Sequence, residues 1–417
     1  MLRSKHIAPR LVLWALSVGW LGSAAGCRGG GATGPADTGL RAWDTTLVYD
    51  GINPLNPEAM SRAVVSEGSN GRLEAFLWKC RVGGDIRIGF LGGSVTAGAA
   101  ASSPELRYSS RMCYFLGKIF PKAKIIEVNA GIGGTDSRFG ASRVQDDLLA
   151  SKPDLIVIEY AVNDDPTDTV MYPPALEGVV RQCLKSGDAA VMLYFTLNSA
   201  GDPVGESTKI PTGLHYGLPM VSLLRAAWPY VSAGKIPSDS LVKDQVHPTD
   251  LGHFIGGYGL FSCLRRIAEQ GASRPISAIP APRLGNLYDT AGLYHAGDAS
   301  FAILGSGAWT AQAREQGRQG FALTEGAPLA FKYRGRELTL GYHVSDQGDG
   351  LLAVSVDGIP FDTLSNNFPF GLKGGLMRLR QVHLTQAPAT VTVELRLLQG
   401  TEFVIDYLMY AGPAPLP

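Results

Sequence analysis

The feature that most constrains how this chain folds is an alternation of short apolar runs with longer helical segments between about residues 47 and 270. The short runs are rich in β-branched residues and almost continuously apolar, which is typical of strands buried on both faces of a parallel sheet. They lie at 86–91, 125–128, 155–158 and 189–195, and the helical segments lie at about 107–119, 138–149, 175–185, 214–227 and 249–269. This alternation predicts a three-layer α/β/α sandwich whose parallel strands are joined by right-handed crossovers.

The chain changes in character after residue 270. A stretch at 271–287 is rich in proline and small residues, which is typical of a linker. Beyond about residue 299, short alternating segments are separated by turn signals such as Asp357-Gly358. This pattern predicts a smaller all-β domain, a sandwich of jelly-roll type. We therefore predict an α/β domain at residues 46–272, a linker at 273–298 and a β-sandwich domain at 299–417.

The first 26 residues are unlike either domain. Residues 1–10 carry three basic side chains and no acidic one, residues 11–21 form an apolar run, and small residues precede Cys27. This order is typical of a secretory signal peptide, and the run is shorter than the roughly 20 residues of a membrane-spanning helix. We therefore expect the protein to be exported. Residues 27–45, rich in Gly, Ala and Thr, are expected to form a flexible tether.

The end of the predicted signal peptide also resembles the lipobox of bacterial lipoproteins. It reads Ala24-Ala25-Gly26-Cys27, with Ala where Leu is usual at the first position. Two outcomes remain open from the sequence. Either a lipid on Cys27 attaches the chain to a membrane of the bacterial cell envelope, or the chain is cut and secreted.

Charge and cysteine spacing narrow the classes of partner. The 37 basic side chains balance 37 acidic ones, so the chain lacks the basic excess that is typical of nucleic-acid binding. Its Cys and His residues show no zinc-like spacing, so we predict no metal site. In an exported chain the remaining cysteines either form disulfides or stay as buried free thiols; they are Cys80, Cys113, Cys183 and Cys263. The oligomeric state stays open.

Three of the predicted strands are followed by residues that suit a catalytic site. The first strand ends in Gly92-Gly93-Ser94, which places a serine hydroxyl at the carboxyl edge of the sheet, where ligands bind in open α/β folds. The second is followed by a glycine-rich segment at 129–136. The third is followed by Asn163, whose side-chain N–H is able to donate to a developing oxyanion. Taken singly, each motif is better explained by an ordinary turn or helix cap.

A fourth motif, Asp244-Gln245-Val246-His247, lies just before the last predicted helix. A neutral imidazole is the usual general base for a serine hydroxyl, and a carboxylate three residues earlier is able to orient the ring. By itself the motif is also compatible with a solvated loop histidine. His215 and His253 fall in predicted helices and are interpreted as packing or surface residues.

The four motifs follow the order serine, glycine, asparagine and Asp-x-x-His, and each lies at a strand exit. In this order they resemble the motifs of the SGNH (GDSL-like) hydrolase superfamily, and the resemblance covers about residues 84–270. The resemblance implies that Ser94 is the nucleophile, that His247 is the general base and that Asp244 orients the base. The implied reaction is hydrolysis of an ester through an acyl-enzyme on Ser94, which needs no cofactor.

The resemblance also implies an oxyanion hole. Its donors would be the backbone N–H groups of Ser94 and Gly134 and the side chain of Asn163. The first motif has Gly93 where the family usually has Asp. That Asp is not one of the serine, glycine, asparagine and histidine residues to which the family's catalytic roles are assigned.

The substrate is inferred from a loop and from the domain order. Residues 199–219 contain no long apolar lid, and they include Asp202, Glu206 and Lys209, which favours a polar or sugar substrate. An exported SGNH domain followed by a β-sandwich resembles bacterial esterases that remove acetyl groups from polysaccharides. We therefore predict a short-chain, acetyl esterase acting on an acylated small molecule or polysaccharide. The alternatives are a lipase or lysophospholipase acting on longer acyl chains and, from another class, an O-acyltransferase or a glycan-binding protein.

Aromatic residues of the β domain have two interpretations. They are either sugar-stacking platforms or core residues, and in β-sandwiches the second is more common. The residues in question are Trp309, Tyr333, Tyr342 and Phe368.

Overall fold

The computed structural model describes residues 54–68, 71–270, 276–305, 307–313, 318–368 and 376–417. The predicted signal peptide, Cys27 and the tether lie outside the described residues, as do the first residues of the predicted α/β domain and residues 273–275 of the predicted linker. Within the described part of the chain, no helix is both long enough and apolar enough to cross a membrane.

The described part of the α/β domain contains one six-stranded sheet. Its strands are β1 (Val64–Glu67), β2 (Gly84–Gly92), β3 (Ala123–Gly131), β4 (Leu155–Glu159), β5 (Ala190–Phe195) and β6 (Pro219–Ser222), in the order β1-β6-β5-β4-β2-β3. Strands β2 to β6 are parallel to their neighbours, and β1 pairs antiparallel with β6 at one edge. Every residue of β4 and β5 is buried, as expected from the apolar runs 155–158 and 190–195 that form most of these strands. The predicted parallel sheet is confirmed.

Helices cover both faces of this sheet. They are α1 (Pro57–Ala63), α2 (Gly71–Val82), α3 (Ser94–Ala97), α4 (Tyr108–Ile119), α5 (Ser137–Asp147), α6 (Tyr172–Lys185), α7 (Glu206–His215), α8 (Leu223–Ser232) and α9 (Asp250–Gln270). One apolar core joins the sheet to α1, α2, α4, α8 and α9, and a second joins it to α5 and α6. The two cores make the three layers that the alternation predicts.

One predicted helix is wrong. The segment 214–227 contains the end of α7, the strand β6 and the start of α8. Gly217 adopts a φ of +61° directly after α7, in the left-handed region that ends a helix. The next residues, Pro219–Ser222, are completely buried between β5 and β1. A short apolar strand of this kind has no periodicity that distinguishes it from one turn of a buried helix.

The β domain consists of two antiparallel sheets in the described residues. Its strands are β7 (Gly292–Leu293), β8 (Phe301–Leu304), β9 (Trp309–Ala313), β10 (Gln319–Leu323), β11 (Leu329–Val344), β12 (Leu351–Val356), β13 (Ile359–Ser365), β14 (Leu376–Gln399), β15 (Phe403–Ile405) and β16 (Tyr407–Ala411). The larger sheet has the order β13-β12-β14-β11-β16-β7, with β8 paired to β11, and the smaller has the order β15-β10-β9. A common apolar core includes side chains from both sheets, so the smaller all-β domain is confirmed.

The aromatic residues that were candidate sugar platforms belong to this core. Tyr333 is completely buried and Tyr342 is 8% exposed. Trp309 and Phe368 are half-buried and pack against the same core. These rings fill the space between the sheets, as large aromatic side chains do in most sandwiches. Burial excludes Tyr333 and Tyr342 as stacking platforms, and their packing interpretation is confirmed.

The β domain packs against α5 of the α/β domain. Phe139 of α5 is completely buried, and its ring centre lies 5.2 Å from that of Tyr407. Leu293, Met377 and Met409 complete this apolar cluster. The predicted linker also differs from expectation. It contains a 3-10 helix at Leu287–Thr290, which packs on α6, and the strand β7.

The four cysteines of the described chain are free thiols. Cys80, Cys183 and Cys263 are buried and Cys113 is partly buried. Burial raises the pKa of the Cys183 and Cys263 thiols to about 12, so they remain protonated and unreactive at neutral pH. Of the two alternatives that the sequence left open, the structure contains the free thiols.

Candidate active site

Ser94 lies at the carboxyl end of β2, where the strand turns directly into the short helix α3. Strand β2 lies between β3 and β4, so the turn opens onto the carboxyl edge of the sheet. Gly98 ends α3 with a φ of +93°, and its N–H donates to the carbonyls of Ser94 and Val95. The serine is 8% exposed, so its hydroxyl is presented by a rigid turn and not by a free loop.

His247 and Asp244 reach the same edge from the loop that precedes α9. His247 Nε2 lies 2.8 Å from Ser94 Oγ, and His247 Nδ1 lies 2.7 Å from Asp244 Oδ2. The other carboxylate oxygen of Asp244 accepts the backbone N–H groups of Val246 and His247, both at 2.9 Å. One carboxylate therefore shapes the loop and orients the imidazole ring. The structure brings these three predicted residues together.

The charge of Asp244 suits this geometry. Partial burial by itself raises the pKa of the carboxyl group. The hydrogen bonds from Val246 and His247 outweigh that effect and hold the pKa of Asp244 below its usual value. An ionised Asp244 accepts a hydrogen bond from the N–H at Nδ1, which fixes the proton there and leaves Nε2 as the acceptor for the Ser94 hydroxyl. The arrangement is able to withdraw a proton from the serine as its oxygen attacks an electrophile.

The Asn163 side chain lies against the residue that precedes the serine. A Cβ on Gly93 would lie 2.3 Å from Asn163 Oδ1 and 2.9 Å from Nδ2. Asn163 follows β4, which pairs with β2, so the third motif adjoins the first. This contact also accounts for the glycine at position 93, because the amide of Asn163 occupies the space that a side chain would need.

The glycine-rich segment after β3 also contacts the nucleophile turn. A Cβ on Gly131 would lie 2.2 Å from the backbone nitrogen of Ala97, and one on Gly133 would lie 3.8 Å from Ser94 Cβ. Gly134 has a φ of +72°, and a Cβ there would lie 2.7 Å from Leu376 Cδ1. Leu376 opens β14, so a side chain of the β domain reaches the edge of the site.

Asn129, in β3, ties this segment to α3. Its Nδ2 donates to the carbonyl of Thr96 at 2.8 Å, and its Oδ1 accepts the N–H of Gly131 at 2.9 Å. Its role as a positioning residue was not predicted. The signal that marks it is an amide side chain near the end of the strand, two residues before the glycine that it holds.

A buried ion pair supports the loop that carries Asn163. Lys209 Nζ lies 3.1 Å from Asp164 Oδ2, and both side chains are almost fully buried. The other oxygen of Asp164 accepts the N–H of Ser137, at the start of α5. Glu159 lies at the end of β4, and its pKa is raised to about 7, first of all by complete burial. These buried groups hold the loop that carries Asn163 in position.

The same contacts correct the interpretation of residues 199–219. Glu206 is buried and forms an ion pair with Arg225 at 2.8 Å, and Lys209 forms the ion pair with Asp164. Only Asp202 is exposed among the three charged residues that were taken to favour a sugar substrate. The two buried charges therefore stabilise the fold and give no information about the substrate.

The two other histidines of the α/β domain are structural, as expected. His215 is exposed, and its ring lies 2.8 Å from the carbonyl of Ala281. His253 is completely buried, and burial lowers its pKa to about 4. Among the described residues, no group of three or more His, Cys, Asp or Glu side chains is arranged to hold a metal ion.

Comparison with known proteins agrees with this geometry. Residues 90–255 match the model of the GDSL-like Lipase/Acylhydrolase family. The segment contains Ser94, Gly134, Asn163, Asp244 and His247. No curated protein matches the chain with significant similarity.

Two solved structures match both domains. Both are of a two-domain esterase (CEX) active on acetylated mannans, one of them co-crystallised with mannopentaose. Each is 26% identical to this chain and covers 86% of it and 99% of the esterase, with TM-scores of 0.75 and 0.76. A match over 86% of the chain includes the β domain as well as the α/β domain.

Proposed function

We propose that this chain, an ester-hydrolysing enzyme with an α/β domain of the GDSL-like lipase/acylhydrolase family, removes acetyl groups from a carbohydrate. The observation that carries the proposal is the chain of hydrogen bonds from Asp244 through His247 to Ser94, with lengths of 2.7 and 2.8 Å. This is the arrangement by which a neutral histidine activates a serine hydroxyl.

The reaction has two acyl-transfer steps. His247 Nε2 takes the proton of Ser94 as Oγ bonds to the ester carbonyl carbon, and the imidazolium then protonates the departing alcohol oxygen. In the second step, His247 takes a proton from water as the water oxygen bonds to the acyl carbon. Acetate leaves and the proton returns to Ser94 Oγ. Asp244 stabilises the imidazolium in both steps.

The carbonyl oxygen gains negative charge in each step and needs fixed donors. We assign this role to the backbone N–H groups of Ser94 and Gly134 and to the side-chain amide of Asn163. Two observations support the assignment. The Asn163 amide lies against Gly93, and Gly133 lies beside Ser94, so the three donors come from segments in contact. Loss of one such donor typically lowers kcat by about 10²–10³-fold.

The carbohydrate part of the proposal is supported by the two-domain neighbour. That esterase acts on acetylated mannans and matches this chain over both domains. At 26% identity the likeness favours an acetylated polysaccharide as the substrate class, and it leaves the sugar to be identified by experiment.

The test is an activity screen of wild type and Ser94→Ala. We expect the variant to lose about 10⁴-fold or more in kcat/KM on p-nitrophenyl acetate while its circular dichroism is unchanged. Ser207→Ala, at an exposed position of α7, is the matched control and should keep full activity. Undiminished hydrolysis by Ser94→Ala would contradict the catalytic assignment.

The substrate class is tested with the same protein. Wild type should release acetate from acetylated mannan or xylan and should prefer p-nitrophenyl acetate to long-chain esters. A preference for long acyl chains would favour a lipase or lysophospholipase. Activity on p-nitrophenyl acetate without acetate release from any acetylated polysaccharide would contradict the carbohydrate proposal.

We also propose that the protein is exported, either with a lipid on Cys27 or as a secreted chain. The basic, apolar and small-residue segments that precede Cys27 support this proposal. Mass spectrometry of the mature amino terminus tests it. A chain that still begins at Met1 in its native cell would contradict export.

A further inference from the structure

The surface at the amino ends of the parallel strands combines exposed apolar and basic side chains. Trp78, Val82 and Ile119 are 63%, 57% and 52% exposed. Tryptophan is on average one of the more buried residue types, so a Trp that is mostly exposed calls for an explanation. We name this surface the basal patch and define it as Trp78, Val82, Lys118, Ile119, Lys122 and Lys124.

The two parts of the patch are joined through the turns that follow α2 and α4. Trp78 and Val82 lie one helical turn apart on α2. The next residues adjoin the turn after α4: the N–H of Gly84 donates to the carbonyl of Lys122 at 3.1 Å, and a Cβ on Gly83 would lie 2.8 Å from Lys122 Cβ. Lys118 and Ile119, both exposed, end α4 just before this turn.

The charge of the patch differs from that of the whole chain. The patch contains three exposed lysines and no acidic residue, whereas the chain is neutral. Beside the patch, Asp85 lies 3.8 Å from Lys124 and 4.0 Å from Arg87, and Lys79 forms an ion pair with Asp154. A clear positive excess remains around the exposed tryptophan.

We propose that the basal patch binds the headgroup region of an anionic lipid bilayer. The indole ring of Trp78 suits the boundary between headgroups and acyl chains, and lysine side chains extend from an apolar surface to anionic headgroups. Charge complementarity selects this partner over a neutral one. The proposal goes beyond the proposed esterase activity and does not depend on it.

The position of the patch determines how the protein is oriented on a bilayer. The patch lies at the amino ends of the strands, and Ser94 follows the carboxyl end of β2, a nine-residue strand. A strand of that length spans about 30 Å, so a bilayer bound at the patch leaves the catalytic edge facing away from the membrane. This orientation suits an enzyme whose substrate is outside the membrane.

Vesicle sedimentation tests the proposal. The probe is the full chain with Cys27→Ser, which removes the predicted acylation site, purified from an exporting bacterial host. We expect it to sediment with phosphatidylcholine vesicles that contain about one quarter phosphatidylglycerol, and to be released by high salt. Lys118→Gln/Lys122→Gln should weaken this binding by on the order of tenfold or more. Brominated lipid should quench tryptophan fluorescence, and Trp78→Phe should remove that quenching.

The control removes two charges from the β domain. Lys332→Gln/Arg396→Gln, at exposed positions of β11 and β14, should bind vesicles like the parent. Equal binding by the Lys118/Lys122 variant and its parent would overturn the proposal, and so would equal binding to pure phosphatidylcholine. A dimer that Trp78→Phe dissociates, in a chain that does not bind vesicles, would instead identify the patch as a contact between two copies.

Discussion

At the scale of single residues, Gly93 is where this chain departs from the Gly-Asp-Ser motif that is usual in the family whose model matches residues 90–255. The departure has a local cause. The Asn163 amide occupies the position that a Cβ at residue 93 would take, with Oδ1 only 2.3 Å from it. The serine turn and the asparagine are therefore packed against each other with no room for a side chain between them. Any residue other than glycine must displace Asn163 or the turn.

This packing predicts the effect of adding one methyl group. Gly93→Ala should lower kcat on p-nitrophenyl acetate by about 10–100-fold with little change in KM, because a misplacement of about 1 Å in the site is costly to the transition state. Gly133→Ala is the matched control, since its Cβ would lie at an ordinary contact distance of 3.8 Å from Ser94 Cβ. If both variants had the same kcat, the assignment of Asn163 to the oxyanion hole would lose its support.

At the scale of elements, His253 of α9 joins two segments that follow the nucleophile. Its Nδ1 accepts the N–H of Tyr108, the first residue of α4, at 3.3 Å. Its Nε2 lies 3.2 Å from the carbonyl of Ala99, which follows α3. Only the neutral ring with its proton on Nε2 makes both bonds. Burial favours the same form by lowering the pKa of His253 to about 4.

The lowered pKa predicts a dependence of stability on pH. Because the folded pKa lies below the unfolded value of 6.5, the unfolded chain binds this proton more strongly between about pH 6.5 and 4. The contribution of His253 is present above about pH 6.5 and is lost as pH falls, by up to about 3 kcal/mol. Denaturant unfolding at several pH values should therefore show a flatter profile for His253→Gln than for wild type.

Two comparisons keep this pH test specific. Glu159 has a raised pKa of about 7, so its contribution to stability is lost as pH rises through that value, opposite in sign to the histidine. Glu159 is present in both wild type and His253→Gln, so its effect on stability cancels when the two pH profiles are compared. His215→Gln, at an exposed position, should leave the profile unchanged. Parallel profiles for His253→Gln and wild type would show that the buried ring does not carry the effect.

At the scale of the whole molecule, the two domains share an interface that resembles a core. Phe139 is completely buried among Leu293, Met377 and Met409 of the β domain. Arg318 of the β domain lies 3.1 Å from Asp147, whose other oxygen accepts a hydrogen bond from Arg143 of α5. All three of these charged side chains are almost fully buried. An apolar cluster with a buried ion pair couples the stability of the two domains.

This interface predicts a single cooperative thermal unfolding transition for the full chain. Arg318→Met should lower the midpoint of the entire transition, because it removes one of the two buried guanidinium partners of Asp147, and an interaction of this kind typically contributes about 1.5–3 kcal/mol. Arg396→Met, at an exposed position of β14, should have little effect. Differential scanning calorimetry distinguishes the outcomes. Two separate transitions, of which Arg318→Met shifts only one, would mean that the domains unfold independently.

The strands and helices that carry the site could be predicted because their sequences are locally unambiguous. Strands β2 to β5 each contain a short, largely apolar run, and each predicted run lies within the observed strand or one residue outside it. Strand β6 could not be predicted, since its four buried residues have no periodicity of their own. The burial of Glu206 and Lys209 could not be predicted either, because each charged side chain is stabilised in the interior by a partner that lies far away in sequence.

The sequence by itself determined the fold class and the four motifs, since apolar periodicity and glycine-rich strand exits are local properties of the chain. Only the tertiary structure decided how the motifs meet. It placed His247 Nε2 2.8 Å from Ser94 Oγ, and it placed the Asn163 amide in the space that Gly93 leaves open. It also assigned Tyr333 and Tyr342 to the core of the β domain. Interatomic distances and the burial of single side chains depend on contacts between segments far apart in the sequence, and no local pattern encodes them.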